Sequence, residues 1–269
     1  MTKNQQTVRS RLLQRLPEEA FELIADELEP IELPARRSLV SSSKPIKAVC
    51  FIESGLASMV AETDDGNSFE IRHIGFEGMA GYPVILGVDR TPTKTFMQSS
   101  GHGLQIASEA FLPVMEIREA RELLLRYVHI CDLQLSHTAL AAAKYTMHHR
   151  LARWLLMCQD RIEGDELPLT HDFLGLMLGV RRSGVTEQLH ILEGMHAIRS
   201  TRGIVTIRDR GKLLEIAGSS YGVPEKEYER LIGSKQRKGL SHVVRVADSI
   251  VQTHDTLAGE NIELEPELG

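Results

Sequence analysis

The chain has 269 residues, 42% hydrophobic and 25% charged, with a formal net charge of −6. That balance excludes a fibrous or disordered chain and fits one large or two ordinary soluble domains. The longest apolar run is far too short to span a bilayer. The polar opening MTKNQQTVRSRLLQRLPEEAF has no apolar signal core, so a cytoplasmic protein without a membrane partner is expected.

Residues 1–30 read as polar-amphipathic helix, with Leu12, Leu13, Leu16, Phe21, Ile24 and Leu28 as the apolar positions. From Ile31 the period changes to two. Strands are expected over Arg37–Val40, Ala48–Ile52, Leu56–Glu62, Ser68–Ile74, Thr95–Gln98 and Leu104–Ile106. The turn clusters Ser41-Ser42-Ser43, Glu53-Ser54-Gly55, Asp64-Asp65-Gly66-Asn67 and Ser99-Ser100-Gly101 separate them. Many short strands with regular punctuation predict a small jelly-roll. Gly75, Gly78 and Gly81 are turn and close-packing positions, since no βαβ context surrounds them to make a dinucleotide fingerprint.

A long helical stretch follows, from about Ile117 to Arg161, with a hinge expected near Lys144–Thr146. Its leucines, among them Leu123, Leu124, Leu125, Leu133, Leu135 and Leu140, fall on more than one face. An apolar circumference of that kind predicts burial on two sides. His129 and His137 lie two turns apart, and the adjacent His148 and His149 point about 100° apart. Neither pair suits one metal ion. Cys50, Cys131 and Cys158 share no metal-ligand spacing and read as buried small hydrophobes.

The richest segment is Leu169–Ala217. Thr170 is a candidate N-cap. Phe173, Leu174, Met177 and Leu178 then form one face of a short helix, and Gly179 supplies a turn. A second helix, Arg181–Leu192, carries Val185, Leu189 and Leu192 on one face and Arg182, Thr186 and His190 on the other, and Gly194 ends it. Ala197–Arg208 alternates as a hairpin with Arg202-Gly203 at its tip. Helix, turn, helix and wing together predict a winged helix-turn-helix. The segment holds seven basic and five acidic residues, whereas residues 218–269 hold six basic and nine acidic. A mildly basic module in an acidic chain fits site-specific DNA binding.

This segment resembles the DNA-binding domain of the Crp–Fnr transcription regulators. The matching positions are Gly179, Arg182, Val185, Leu189, Leu192, Glu193 and Ile198, followed by Ile204, Val205, Ile207, Leu213 and Ala217. Ser183 and Glu187 depart from the family pattern, so its best-known half-site does not carry over. Three cysteines cannot repeat the four-cysteine cluster of the Fnr branch. The resemblance covers about residues 30–217 and implies an α+β chain. It has a jelly-roll-like, cyclic-nucleotide-binding-like β-roll sensor domain (1–116, with the N-terminal helix), a central dimerisation helix (117–146) and a winged helix-turn-helix (147–217). Residues 218–269 extend beyond the match. Tyr221–Ile232 and Leu240–Val251 are expected to be helical, and the acidic tail ENIELEPELG disordered. Solvated accessory helices are the expected form of this extension, with a dimer or partner contact as the alternative.

The function so implied is a homodimeric regulator on pseudo-palindromic double-stranded DNA. RNA polymerase is a further partner, an unidentified small molecule the effector, and no cofactor or metal is expected. Arg182 is expected to read a guanine, with Ser183 and Thr186 on phosphate or a base edge, Glu187 on a cytosine amine, and Arg181 and His190 beside them. Arg199, Thr201 and Arg202 of the wing are expected to hold phosphates. For the effector the resemblance points to Arg90 and Thr91, with Ser136 on the central helix. The place of the family's ribose-binding carboxylate falls at Met79-Ala80-Gly81, so cyclic AMP is not expected. No Ser-His-Asp context, HExxH or P-loop is present, so no catalytic residue is assigned. Two rival readings are a signalling protein whose winged helix contacts protein, and a cofactor-dependent redox sensor.

Overall fold

The computed structural model describes residues 4–64 and 68–233. The expected helix Leu240–Val251, the acidic tail and residues 65–67 of one turn cluster lie outside the described residues.

The N-terminal segment is two helices, α1 (Arg11–Arg15) and α2 (Glu18–Ala25), and not one. Pro17 caps the second, because its fixed φ and missing N–H interrupt the helix. Leu12, Leu13, Phe21 and Ile24 are buried as their spacing requires. The helix does not run to residue 30. Glu29–Leu33 is β1, an edge strand paired only with β8 (Gly101–Ala107). Pro30 is tolerated there because an edge strand leaves one row of backbone donors unused.

Eight antiparallel strands make two four-stranded sheets. One runs in the order β1, β8, β3 (Ala48–Ile52), β6 (Met79–Ala80). The other runs β2 (Ser38–Val40), β7 (Lys94–Ser99), β4 (Leu56–Glu62), β5 (Ser68–Ile74). Leu33, Cys50, Ile52, Ala57, Ile74 and Met97 fill the space between them. This is the expected jelly-roll-like roll within an α+β chain. The glycines of the β5–β6 turn are close-packing positions: a Cβ on Gly78 would lie 2.4 Å from the Tyr127 hydroxyl, and one on Gly75 2.8 Å from Arg161.

After the short α3 (Ser108–Phe111) comes α4 (Arg118–Lys144), then α5 (Met147–Gln159). Tyr145 and Thr146 are extended between them, so the break falls at the expected hinge. The His148 and His149 rings do not diverge. Their centroids are 4.2 Å apart, because both rings turn toward the Thr146 hydroxyl at the new helix start. Burial and the neighbouring His148 lower the His149 pKa.

The fold continues past residue 217. Val223–Tyr228 is α9, and Glu229–Gly233 extends it as a wider π turn. Tyr228 and Ile232 belong to the same buried cluster as Leu124 and Tyr127 of α4. The Tyr228 hydroxyl donates to Glu77 O at 2.7 Å. This part of the extension is therefore core, not the solvated helix expected from its polar composition.

Candidate nucleic-acid interface

The helix pair is α6 (His171–Leu178) and α7 (Arg182–Gly194). Thr170 caps α6, its hydroxyl accepting from Phe173 N–H at 3.2 Å. Gly179 ends α6 at φ +66°, and Val180 N–H returns to Gly175 O at 2.9 Å. Gly175 is needed for the same turn, since a Cβ there would sit 2.8 Å from Val180 O. No local pattern marks Gly175, because its requirement is a close approach that helical spacing does not show.

Val185, Leu189 and Leu192 are fully buried in a core shared with Leu155, Leu174 and Ile198. Burying one stripe fixes which side chains face out. Arg181, Arg182, Ser183, Glu187 and His190 are exposed. Thr186 is not with them. It is half-buried, and its hydroxyl meets His171 Nδ1 at 2.9 Å and Arg182 O at 3.2 Å. Thr186 thus holds α7 against α6. The helix runs on to Gly194, and the sharp turn after it is made by His196 at φ +57°.

The wing is β10 (Ile198–Thr201) paired with β11 (Ile204–Ile207), and β11 also pairs with β9 (Glu166–Leu167). Thr201 opposite Ile204 leaves Arg202-Gly203 as a two-residue tip, with Gly203 at φ +79°. Arg199, Thr201 and Arg202 are exposed. Glu193 accepts from Ser200 N–H at 2.6 Å and ties the end of α7 to the wing. Behind the wing α8 (Arg210–Ala217) is capped by Asp209, which accepts from Lys212 N–H at 3.0 Å. The result is one exposed helix face with arginines at its start and two more on the adjoining hairpin. No side chain caps α7, so its first-turn N–H groups add partial positive charge there.

The family described as the Crp-like helix-turn-helix domain matches residues 149–216. About 71% of the chain shares its fold with solved transcriptional regulators. TTHB099 of Thermus thermophilus, a CRP-family transcriptional regulator, is 16% identical, with 71% of this chain and 98% of that one covered at a TM-score of 0.61. FixK2 of Bradyrhizobium japonicum is 13% identical over 71% and 98%, at 0.62. The c-di-GMP responsive regulator CLP of Xanthomonas campestris is 15% identical over 71% and 99%, at 0.57. At these identities the likeness is one of fold. No curated protein matches the chain. The family match is confined to residues 149–216, and over the rest of the chain the likeness to these regulators is one of fold.

The residues singled out for an effector are not brought together. Arg90 is exposed and paired with Asp89 at 2.9 Å. The Thr91 hydroxyl meets Thr93 at 3.0 Å, and Ser136 is exposed on α4. None of the three lines the cavity beneath α9. Among the described residues no group of three His, Cys, Asp or Glu side chains is placed to hold a metal, and no helix is long and apolar enough to cross a membrane.

Proposed function

We propose that the protein is a sequence-specific transcription regulator that binds pseudo-palindromic DNA as a homodimer, with the α7 faces of two protomers in successive major grooves. The observation that carries this is the exposed face of α7, with Arg181 and Arg182 at its start and Arg199 and Arg202 alongside on the wing. Arg182 reads a base edge, Ser183 and Glu187 adjoin it, and the wing arginines hold phosphates and set register.

The homodimer is supported by α4. Its inner face is buried by Leu123, Leu124, Tyr127, Ile130 and Gln134, while Leu125, Leu135 and Leu140 are 44, 42 and 43% exposed on the other side. Those three, with Val128, Ala139 and Ala143, span about 140° of the helix circumference at 100° per residue. A second α4 covers that face.

Sequencing of genomic fragments retained by the purified protein tests the reading. The expected result is an inverted repeat with half-sites about 34–36 Å apart, one helical turn, and affinity falling steeply with salt. Retention without a common motif, or with a flat salt dependence, rejects it.

A further inference from the structure

A cavity of about 270 Å³ lies between β5, α4 and the α9 segment. Arg72 and Gln134, each only 4% exposed, line it, and Phe76, Tyr127 and Tyr228 supply an aromatic wall. Arg72 is the unusual member. Its guanidinium stacks over the Tyr82 and Tyr127 rings at 4.8 and 5.4 Å and donates one hydrogen bond, from Nη2 to the Tyr127 hydroxyl at 2.7 Å. Nη1 has no partner. Among the described residues no carboxylate pairs with it, whereas the other two arginines of the cavity are paired, Arg161 with Glu77 at 2.6 Å and Arg11 with Glu229. Tyr127 and Cys131 do not neutralise it either, since burial pushes both pKa values up and keeps them uncharged. A guanidinium does not lose its proton in a protein. Arg72 is therefore a buried positive charge with no carboxylate in contact, since Glu77, which acts on it through space, is committed to Arg161, and it lies beside space walled by aromatic rings. An anion placed beside it would supply the direct charged contact, and a partner for Nη1, that the surrounding side chains do not.

We propose that this cavity binds a small organic carboxylate with an apolar body, its carboxylate on Arg72, its body against Tyr127 and Tyr228, and Gln134 supplying a second polar contact. The volume equals about nine waters in the liquid, which suits a ligand of roughly ten heavy atoms. The site is bounded on one side by the extension beyond residues 149–216: Tyr228 bonds the Glu77 carbonyl, and Tyr221 bonds Asp160 just after α5. Residues 160 and 161 lead from α5 into the helix-turn-helix, so occupancy alters the strut on which the DNA-binding helices stand. That consequence rests on the regulatory reading above, but ligand binding itself does not.

Calorimetry of the full-length protein with phenylacetate, benzoate and hexanoate is the test, with phenylacetamide and matched sodium chloride as controls. Saturable binding of at least one carboxylate below about 1 mM is expected. Phenylacetamide is expected to bind at least tenfold more weakly than phenylacetate, and chloride not at all. Arg72→Met should abolish the binding, with the folded state checked by circular dichroism. Should that variant not fold, Gln134→Leu, which removes a polar contact and no charge, should weaken binding severalfold in a folded protein. No heat with any of the three carboxylates, equal binding of the amide, or unchanged affinity in a folded variant overturns the proposal. Each of these results leaves DNA retention untouched, so the two readings fail separately.

Discussion

Arg182 and Thr186 sit one turn apart on α7, yet the structure gives them different work. Arg182 is exposed, while the Thr186 hydroxyl is taken up by His171 and the Arg182 carbonyl. Arg182→Ala should cost about 1–3 kcal/mol of discrimination between the cognate site and a site altered at one base pair, with the fold unchanged. Competition gel shifts measure this, and an unaltered preference would remove Arg182 from the reading set. The three cysteines give a second residue-scale prediction. All are free and buried. Burial pushes the Cys50 thiol up to about 12 and raises those of Cys131 and Cys158. Each then binds a proton in the native state over a pH range where the unfolded thiol, near 8.5, has lost it. Their contribution to stability is full below about pH 8 and declines as pH rises beyond it. Iodoacetamide at pH 8 should label none of the three in the native protein and all three in denaturant; rapid native labelling counted by mass spectrometry would contradict their burial.

At the scale of elements, α4 carries the oligomer prediction. Leu135 and Leu140 are exposed and Leu133 is half-buried, so a charge at the first two tests the seam without disturbing the roll. Leu140→Glu should give folded monomers with much weaker DNA retention, because two tethered half-site contacts reinforce each other and one does not. Light scattering decides it: a wild-type monomer at micromolar concentration, or an undisturbed dimer in the variant, contradicts the seam. The turn between α6 and α7 carries another. Gly179 is left-handed, and a Cβ there would meet the Phe69 ring at 3.0 Å. Gly179→Ala should cost about 1–3 kcal/mol, read as a lower urea midpoint at constant slope. The elements themselves were legible where local pattern is strong. Ala48–Ile52, Leu56–Glu62 and Ser68–Ile74 form strands over their full predicted ranges, and the break after Lys144 falls where expected. β1 was hidden because Pro30 reads as a breaker and only pairing with β8 makes Glu29–Leu33 a strand. The helix ends at Gly194 as expected, but the left-handed turn after it falls at His196 and not at the glycine, since glycine permits such a turn but does not compel one.

At the scale of the whole molecule, the α9 segment binds distant parts of the chain together. Tyr228 reaches a carbonyl 151 residues away and is 5% exposed. Tyr228→Ala should cost about 3–5 kcal/mol through lost aromatic burial and the cavity left behind, and denaturant unfolding measures it. A loss below about 1 kcal/mol would mean that α9 is an accessory after all. The Arg161–Glu77 pair and the Trp154 indole donating to Glu70 likewise join the Crp-like domain to the β5 region.

The sequence by itself determined whatever depends on neighbours a few residues apart. The period of two in the strands, the Thr170 cap, the Gly179 turn, the buried stripe of α7 and the Arg202-Gly203 wing tip are all local geometry, and they sufficed to place the exposed α7 face that is proposed to read DNA. What only the tertiary structure decided depends on groups far apart in the chain. Tyr228 beneath α4, Thr186 held by His171, and Arg72 with aromatic rings in place of a carboxylate are contacts of that kind. A charged or polar residue in a sequence reads as solvated unless something shows what surrounds it. Burial is a sum over neighbours from every part of the chain, and it is burial that turns Arg72 from an ordinary strand residue into an anion site.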